Sequence, residues 1–386
     1  MACHTADPAR PFAGGRAIAT RFGTFYTPNI TSDRATGIGA WTDAQFVRAM
    51  REGIGRHGER LYPAFPYTAY TRLSDSDVLA MRAYLATVPP VRYTPPRHAL
   101  AFPFDQRWLM AVWNAFNFSP GRFVPDPAKS AQWNRGAYLV DALGHCGQCH
   151  TPRNLLGGLK DGERLGGATV AGWRAGNLTP ARVAGIGAWR DDELLRYLAT
   201  GAAPGRAYAV GPMAEVVANS TQFLSGDDLR AMVVYLRSMP VVAGDERAPS
   251  RWSFGQPAKV DVTALDAMSV FAPTAAAHAD GARLYAAACA SCHGISGEGE
   301  GRAFPPLVHD AVTGALGAMD PSNLVLVILH GVQRPSRGAS ASMPAFGAQL
   351  SDEEIAALAS FVTRQFGDPR AATRAADVAR LRAIAQ

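Results

Sequence analysis

Only five cysteines occur among the 386 residues, and all five fall in copies of one motif, so none is left for a structural disulfide. Lysine is also scarce, and arginine far outnumbers it. No run of 18 apolar residues is present, which argues against a membrane-spanning helix. The first residues do not read as a secretion signal. Basic residues form no run with interleaved aromatics, so nucleic-acid binding has no support. No glycine fingerprint for a flavin or nicotinamide lies between a strand and a helix. The glycine-rich residues 294–301 follow a cysteine motif and read as its loop. What remains is ordinary hydrophobic content, 48%, and a formal charge of +6 with a pI near 9.2. At about 150 residues per domain, the length suggests two or three domains.

The motif is Cys146-Gly147-Gln148-Cys149-His150, repeated as Cys289-Ala290-Ser291-Cys292-His293. A partial copy, Met1-Ala2-Cys3-His4, opens the chain. Two cysteines two residues apart, closed by His, form the attachment pattern of c-type haem. Each thiol adds to one porphyrin vinyl group, and the next residue turns its imidazole onto the iron. Cys3, Cys146, Cys149, Cys289 and Cys292 are thus expected to attach haem, with His4, His150 and His293 as proximal ligands. Haem c is expected at two sites, and at a third if the N-terminus is complete. Redox dithiols and zinc sites share the bare CxxC. Zinc, however, gives no reason for the His, and zinc ribbons hold their pairs roughly 15–20 residues apart. Attachment to thiols fits the periplasm for a bacterial chain. The propionates of three haems would roughly cancel the basic excess, and arginine is the better carboxylate clamp.

The motif copies sit in repeats. Asn29-Ile30-Thr31 and Gly37-Ile38-Gly39-Ala40-Trp41 return as Asn177-Leu178-Thr179 and Gly185-Ile186-Gly187-Ala188-Trp189, the mark of a duplicated unit. Thr42 to Gln45 is a capping-box pattern opening a helix with Phe46, Met50 and Ile54 on its apolar side. The matching helices carry Leu194 and Leu198, and span residues 322–330. Each repeat closes with a helix begun by Ser74, Ser225 or Ser351 and followed by carboxylates in its first turn. The expected buried stripes are Val78, Met81, Tyr84, Leu85; Leu229, Met232, Tyr235, Leu236; and Ile355, Leu358, Phe361, Val362. Helices are expected before the second and third motifs, over residues 136–143 and 279–288. The first copy lacks one, and its first cysteine would fall at residue zero, so a truncated N-terminus is expected. The fold class is all-α, in three tandem haem units: residues 1–90, 128–240 and 276–367. Pro-rich linkers join them. Residues 89–128 are also strongly aromatic, and read as a strap or as a docking surface for a partner or membrane. Residues 241–275 are a looser linker, and the tail beyond Phe366 a peripheral helix.

A low-spin electron-carrying haem often takes Met as second axial ligand, which raises its potential. Met343, in Met343-Pro344-Ala345-Phe346, and Met213, in Gly211-Pro212-Met213, stand in loops at the matching place, each against the alternative of a core methionine. The first repeat has no such Met. One alignment frame puts Phe65 opposite Met213 and the other Tyr62, while Met50 and Met81 occupy stripe positions. His57 is the next donor, and an open first site is the expectation.

The order of motifs resembles the three-haem cytochrome c subunits of membrane-associated bacterial dehydrogenases acting on alcohols, gluconate and aldehydes. Its carriers here include Phe22-Gly23-Thr24, Leu61-Tyr62-Pro63-Ala64, Trp133-Asn134-Arg135-Gly136-Ala137-Tyr138-Leu139, Gly144-His145-Cys146, Thr151-Pro152-Arg153-Asn154 and Gly211-Pro212-Met213-Ala214-Glu215. The resemblance implies three tandem cytochrome c-like domains and the ligand pairs His150 with Met213 and His293 with Met343. It also implies electron transfer from a catalytic dehydrogenase subunit of flavin, quinone-cofactor or molybdenum type to quinone or a terminal oxidase. The expected place is the periplasm, with peripheral association at the outer face of the inner membrane. The competing function is a peroxidase-like haem enzyme using an open first haem. The attachment chemistry predicts that haem on Cys146 with Cys149, and on Cys289 with Cys292, survives acid–acetone extraction. Extraction of the haem from both would remove the c-type reading.

Overall fold

The computed structural model describes residues 3–242, 244, 254–258, 281–299, 305–308, 320–337 and 340–384. In chain order the principal helices are α1 (Asp43–Glu52), α2 (Asp75–Thr87), α3 (Leu109–Asn117), α4 (Ala131–Tyr138), α5 (Asp191–Thr200), α6 (Gly211–Asn219), α7 (Gly226–Arg237), α8 (Gly281–Ala288), α9 (Ser322–His330), α10 (Asp352–Phe366) and α11 (Ala375–Ile384). The expectation of an all-α chain needs correction, because short antiparallel strands accompany the helices. β1 (Ala17–Thr20) pairs with β2 (Gly23–Tyr26), and β2 with β3 (Ala99–Leu100). β4 (Ala202–Ala203) pairs with β5 (Ala207–Tyr208), and β6 (Val332–Arg334) with β7 (Ala341–Met343). Strands this short show no alternation in the sequence.

By backbone contacts the chain forms two compact units, residues 1–171 with 226–239, and 172–225 with 240–386. These bounds differ from those of the three repeats because α7, which closes the second repeat, packs against α4. The reason is a missing side chain. A Cβ on Gly136 of α4 would lie 2.0 Å from the Ala231 carbonyl oxygen and 2.8 Å from Tyr235 Cβ. The second unit repeats the crossing, where a Cβ on Gly281 of α8 would lie 2.2 Å from the Ala357 carbonyl oxygen and 2.7 Å from Phe361 Cβ of α10.

In the first unit, Thr42 caps α1 in the expected box with Gln45, and Ser74 caps α2 by accepting from the Asp77 N–H. Phe46 and Met50 of α1 join Ile38, Leu73 and Val78 in one apolar cluster. The entry to the second motif helps to close this cluster, through Ala142 with Tyr138 and Leu143. Tyr138 also accepts from the Ser74 N–H at 3.0 Å and donates to Asp77, fixing the start of α2. One stripe position departs from expectation. Tyr84 is 60% exposed, whereas its counterpart Tyr235 is 3% exposed. Tyr235 is covered by α4; among the described residues no helix lies along the exposed Ala80 and Tyr84, and Phe12 meets the Tyr84 ring edge-on at 6.3 Å.

The Asn-x-Thr repeats act as clasps. Asn29 Oδ1 accepts from the backbone N–H and hydroxyl of Thr31, and its amide donates to the Val91 carbonyl at 2.8 Å. In the second unit Asn177 does the same with Thr179, and donates to the Val242 carbonyl at 2.8 Å. The following glycines permit close backbone approach: a Cβ on Gly39 would lie 1.9 Å from the Ser32 carbonyl oxygen, and one on Gly187 2.3 Å from that of Pro180.

The core of the second unit gathers α9 from Asn323 to Leu329 with Tyr285, Ile355, Leu358, Val362 and Phe366. The tail is not peripheral as expected. Val378 and Leu381 of α11 are buried in this core, and Arg382 donates to Asp352 at 2.8 Å. Burial of the two side chains contributes roughly 1.5–3 kcal/mol each. Most of linker 241–275 lies outside the described residues, as do residues 276–280, 300–304, 309–319 and 338–339 of the third repeat.

The crossing predicts that Gly136→Ala destabilises the haem-loaded protein by about 1–3 kcal/mol, although alanine is the better helix former. Gly121→Ala, with no atom within 4 Å of the added carbon, should leave the thermal melt unchanged.

Candidate haem-attachment sites

Each complete motif forms one helical turn. His150 and His293 donate their backbone N–H to the carbonyls of Cys146 and Cys289, both at 3.0 Å. The turn sets the two thiols of each motif one turn apart with the imidazole directly after them. No disulfide joins any of the five cysteines. Burial pushes Cys146 up to about 12 and Cys289 up to about 11, and raises Cys149. Among the described residues, no three His, Cys, Asp or Glu side chains converge on a metal-sized site.

His4 Nδ1 lies 2.9 Å from the Pro28 carbonyl oxygen, and His293 Nδ1 lies 2.9 Å from that of Pro305. A carbonyl only accepts, so Nδ1 carries the proton in both rings. Nε2 is left as the basic lone pair, and the ring is fixed in direction, as for a metal-bound imidazole. Burial lowers the pKa of both histidines, keeping the lone pair available at neutral pH. Sequence reasoning missed Pro28 and Pro305, because a backbone acceptor leaves no side-chain signature.

The approach to the second motif differs from that to the third. Gly136 precedes Cys146 by two more residues than Gly281 precedes Cys289. The extra length is taken up by a wide turn at Leu139–Leu143, where Gly144 donates to Leu139 at 2.7 Å, and by His145 at φ 40°. Wider turns of this kind occur often at functional sites. Asp141 on the turn accepts from Tyr235 at 2.6 Å and pairs with Arg164. Beyond the motif, the Gly167 N–H donates to the His150 carbonyl at 2.8 Å.

The expected sixth-position residues are placed as follows. Met343 ends β7 rather than lying in a free loop, opposite Val332. It borders the same apolar cluster as Cys289, Ala290 and Phe346. Met213 stands in the first turn of α6, behind Pro212, and is half-buried. Cys146, Cys149 and His150 belong to the first unit and Met213 to the second.

In the first repeat the two alignment frames separate. Tyr62 is buried in a different cluster, with Phe25 and Met110. Phe65 borders the cluster of Phe46, Met50, Leu73 and Val78, with its ring 5.6 Å from Tyr70. Met50 is buried and Met81 partly buried in that cluster, as core side chains are. His57 is exposed on a turn where its N–H donates to Glu59. The second motif lies close by: Gln148 donates to Thr68 at 3.1 Å, and the His145 ring meets Tyr70 at 5.4 Å. Burial, and then the nearby Cys3, push the Tyr70 hydroxyl up to about 12.

Two helical turns with paired thiols, each followed by His, together with two histidines anchored through Nδ1, define a c-type cytochrome. Residues 276–362 match the family model of cytochrome c oxidase, cbb3-type, subunit III. The chain is 41% identical, over 99% of its length, to the fructose dehydrogenase cytochrome subunit of Gluconobacter japonicus, of which it covers 80%. It is 35% identical, over 99% of its length, to the gluconate 2-dehydrogenase cytochrome c subunit of Pantoea cypripedii, covering 86%. It is 42% identical, over 94% of its length, to one of the subunits of nicotinate dehydrogenase from Pseudomonas putida, covering 29% of that protein. The chain belongs to the family of cytochrome c subunits of dehydrogenases. It is an electron-transfer component that works with a catalytic partner subunit, which sets aside the haem-enzyme alternative.

Phe65 offers no donor atom to iron. A chain carrying a complete first motif and a secretion signal should therefore bind carbon monoxide at its first haem, and Phe65→Met should suppress that binding. A carbon monoxide titration of the two proteins decides it, and no binding by the parent would mean that another side chain fills the position.

Proposed function

We propose that the chain carries electrons through haems c held in three repeats, residues 1–90, 128–240 and 276–367. The haems would be attached at Cys3, at Cys146 with Cys149, and at Cys289 with Cys292. His4, His150 and His293 would be proximal ligands, with Met213 and Met343 as second ligands of the last two. When bound, the haem supplies a one-electron iron couple. The chain's own residues orient and tune it. Pro28 and Pro305 hold the Nδ1 proton of His4 and His293, raising the basicity of Nε2 toward iron. The apolar clusters around Met50 and around Tyr285 exclude water, and burial is one of the levers on the potential.

The observation that carries this reading is the pair of Nδ1–carbonyl bonds at the first and third motifs. Electrons would enter from a catalytic dehydrogenase subunit, whose own cofactor is of flavin, quinone-cofactor or molybdenum type, and leave to quinone or a terminal oxidase. The place proposed is the periplasm, with the chain bound peripherally at the outer face of the inner membrane. In the described residues no helix is long and apolar enough to cross a membrane.

A thioether ligand favours ferrous iron, and axial ligation spans about 0.8 V across haem proteins. Met213→Ala and Met343→Ala should each lower the midpoint potential of one haem in a spectroscopic redox titration. An unchanged titration rejects that methionine as a ligand.

A further inference from the structure

The aromatic strap between the first two repeats has two faces. On the inner side Leu109, Met110 and Trp113 pack against Phe25 and Tyr62. On the outer side Trp108, Ala111, Val112, Ala115 and Phe116 are all exposed, Phe116 by 77%. No charged residue occurs from 108 to 121. A helix apolar on every side is ordinarily buried, so the outer face of α3 calls for a cover.

The exposed surface continues beyond the helix. Phe102 is 82% exposed, and the neighbouring Phe104 ring packs 4.7 Å from Phe22. The turn at residues 154–158 is tied alongside α3 by two bonds: Trp113 Nε1 donates to the Leu156 carbonyl at 2.9 Å, and Asn154 donates to Asn117 at 2.9 Å. Asn154 Oδ1 accepts from the N–H groups of Leu156 and Gly158, which closes the turn. Leu155 and Leu156 are both thrust outward, Leu155 with 88% of its surface exposed.

Two guanidiniums border these side chains. Arg21 stacks on Phe22 at 4.8 Å and donates to the carbonyls of Asn154 and Leu155. Arg153 donates to the Gly157 carbonyl at 2.8 Å and to Gln148. Both are exposed, and among the described residues neither forms a salt bridge. Asp105 is the one exposed carboxylate within the patch. Apolar tips that project singly, rather than lining a pocket, suit the boundary between headgroups and acyl chains. Guanidiniums without a carboxylate partner at their base suit anionic headgroups.

We propose that Phe102, Trp108, Phe116, Leu155 and Leu156, with Arg21 and Arg153 beside them, dock on the surface of a bilayer containing anionic lipid. This gives the membrane association proposed above a place on the chain, and rests on that reading. The test is flotation of the haem-loaded full chain with phosphatidylcholine vesicles containing about a quarter phosphatidylglycerol, a content chosen for its negative surface potential. The parent should float. Phe116→Ser with Leu155→Ser should lower partitioning at least about tenfold. Arg21→Gln should lower it roughly fivefold. Haem absorbance and the thermal melt of each variant should match the parent, so that lost binding is not lost folding. A parent that stays at the bottom overturns the membrane reading and this surface together. A parent that floats beside variants that float equally well overturns the surface alone. A Phe116→Ser/Leu155→Ser variant that floats unchanged, yet no longer co-purifies with the catalytic dehydrogenase subunit, assigns the patch to a protein partner instead and also overturns it.

Discussion

The structure depends on helix pairs that cross where one partner has no side chain. At Gly136 over Ala231, and again at Gly281 over Ala357, backbone meets backbone at distances that any Cβ would violate. That contact fixes the helix leading into each complete motif against the helix that closes the repeat. Everything the thiols and imidazole do follows from where this crossing leaves the chain. The following turn presents two thiols and a His in a set order, and the closing helix buries Met232 and Tyr235, or Leu358 and Phe366, behind them. Dispersion and apolar burial then act on elements already in register.

Much of this was legible in the sequence because it is repeated. The motif, the capping box of α1, the Ser351 cap of α10 and the Asn-x-Thr and Gly-Ile-Gly-Ala-Trp runs each have side-chain or glycine requirements that leave a mark. What was not legible lacks such a mark. Pro28 and Pro305 act through backbone oxygens. The wide turn at Leu139–Leu143 is an insertion into a helical pattern, and periodicity alone reads it as more helix. Strands of two to four residues carry no alternation. The tail helix read as peripheral because its buried residues, Val378 and Leu381, are few and spaced among arginines.

The first repeat shows what the scheme looks like with parts changed. Its closing helix keeps Ala80 and Tyr84 at the crossing positions, yet both stay exposed. Phe65, which one alignment frame sets opposite Met213, packs with Tyr70 and carries no sulfur. Its cluster is completed by Ala142 and Leu143 from the next repeat. The first and second repeats therefore share an interior, which explains why contacts assign α7 to the first unit.

The Asn-x-Thr clasps have a consequence for the order in which the chain can complete itself. Asn29 waits for Val91, 62 positions later, and Asn177 for Val242, 65 positions later. A polypeptide emerging from its N-terminus cannot close either loop until the residues just past that repeat are free, and contacts so distant in sequence form slowly. Cys146 and Cys149 emerge well before Val242, and so are accessible before the second clasp can shut. The repeat is thus built like a purse whose drawstring is threaded last, with an interval during biosynthesis when its contents can still be put in.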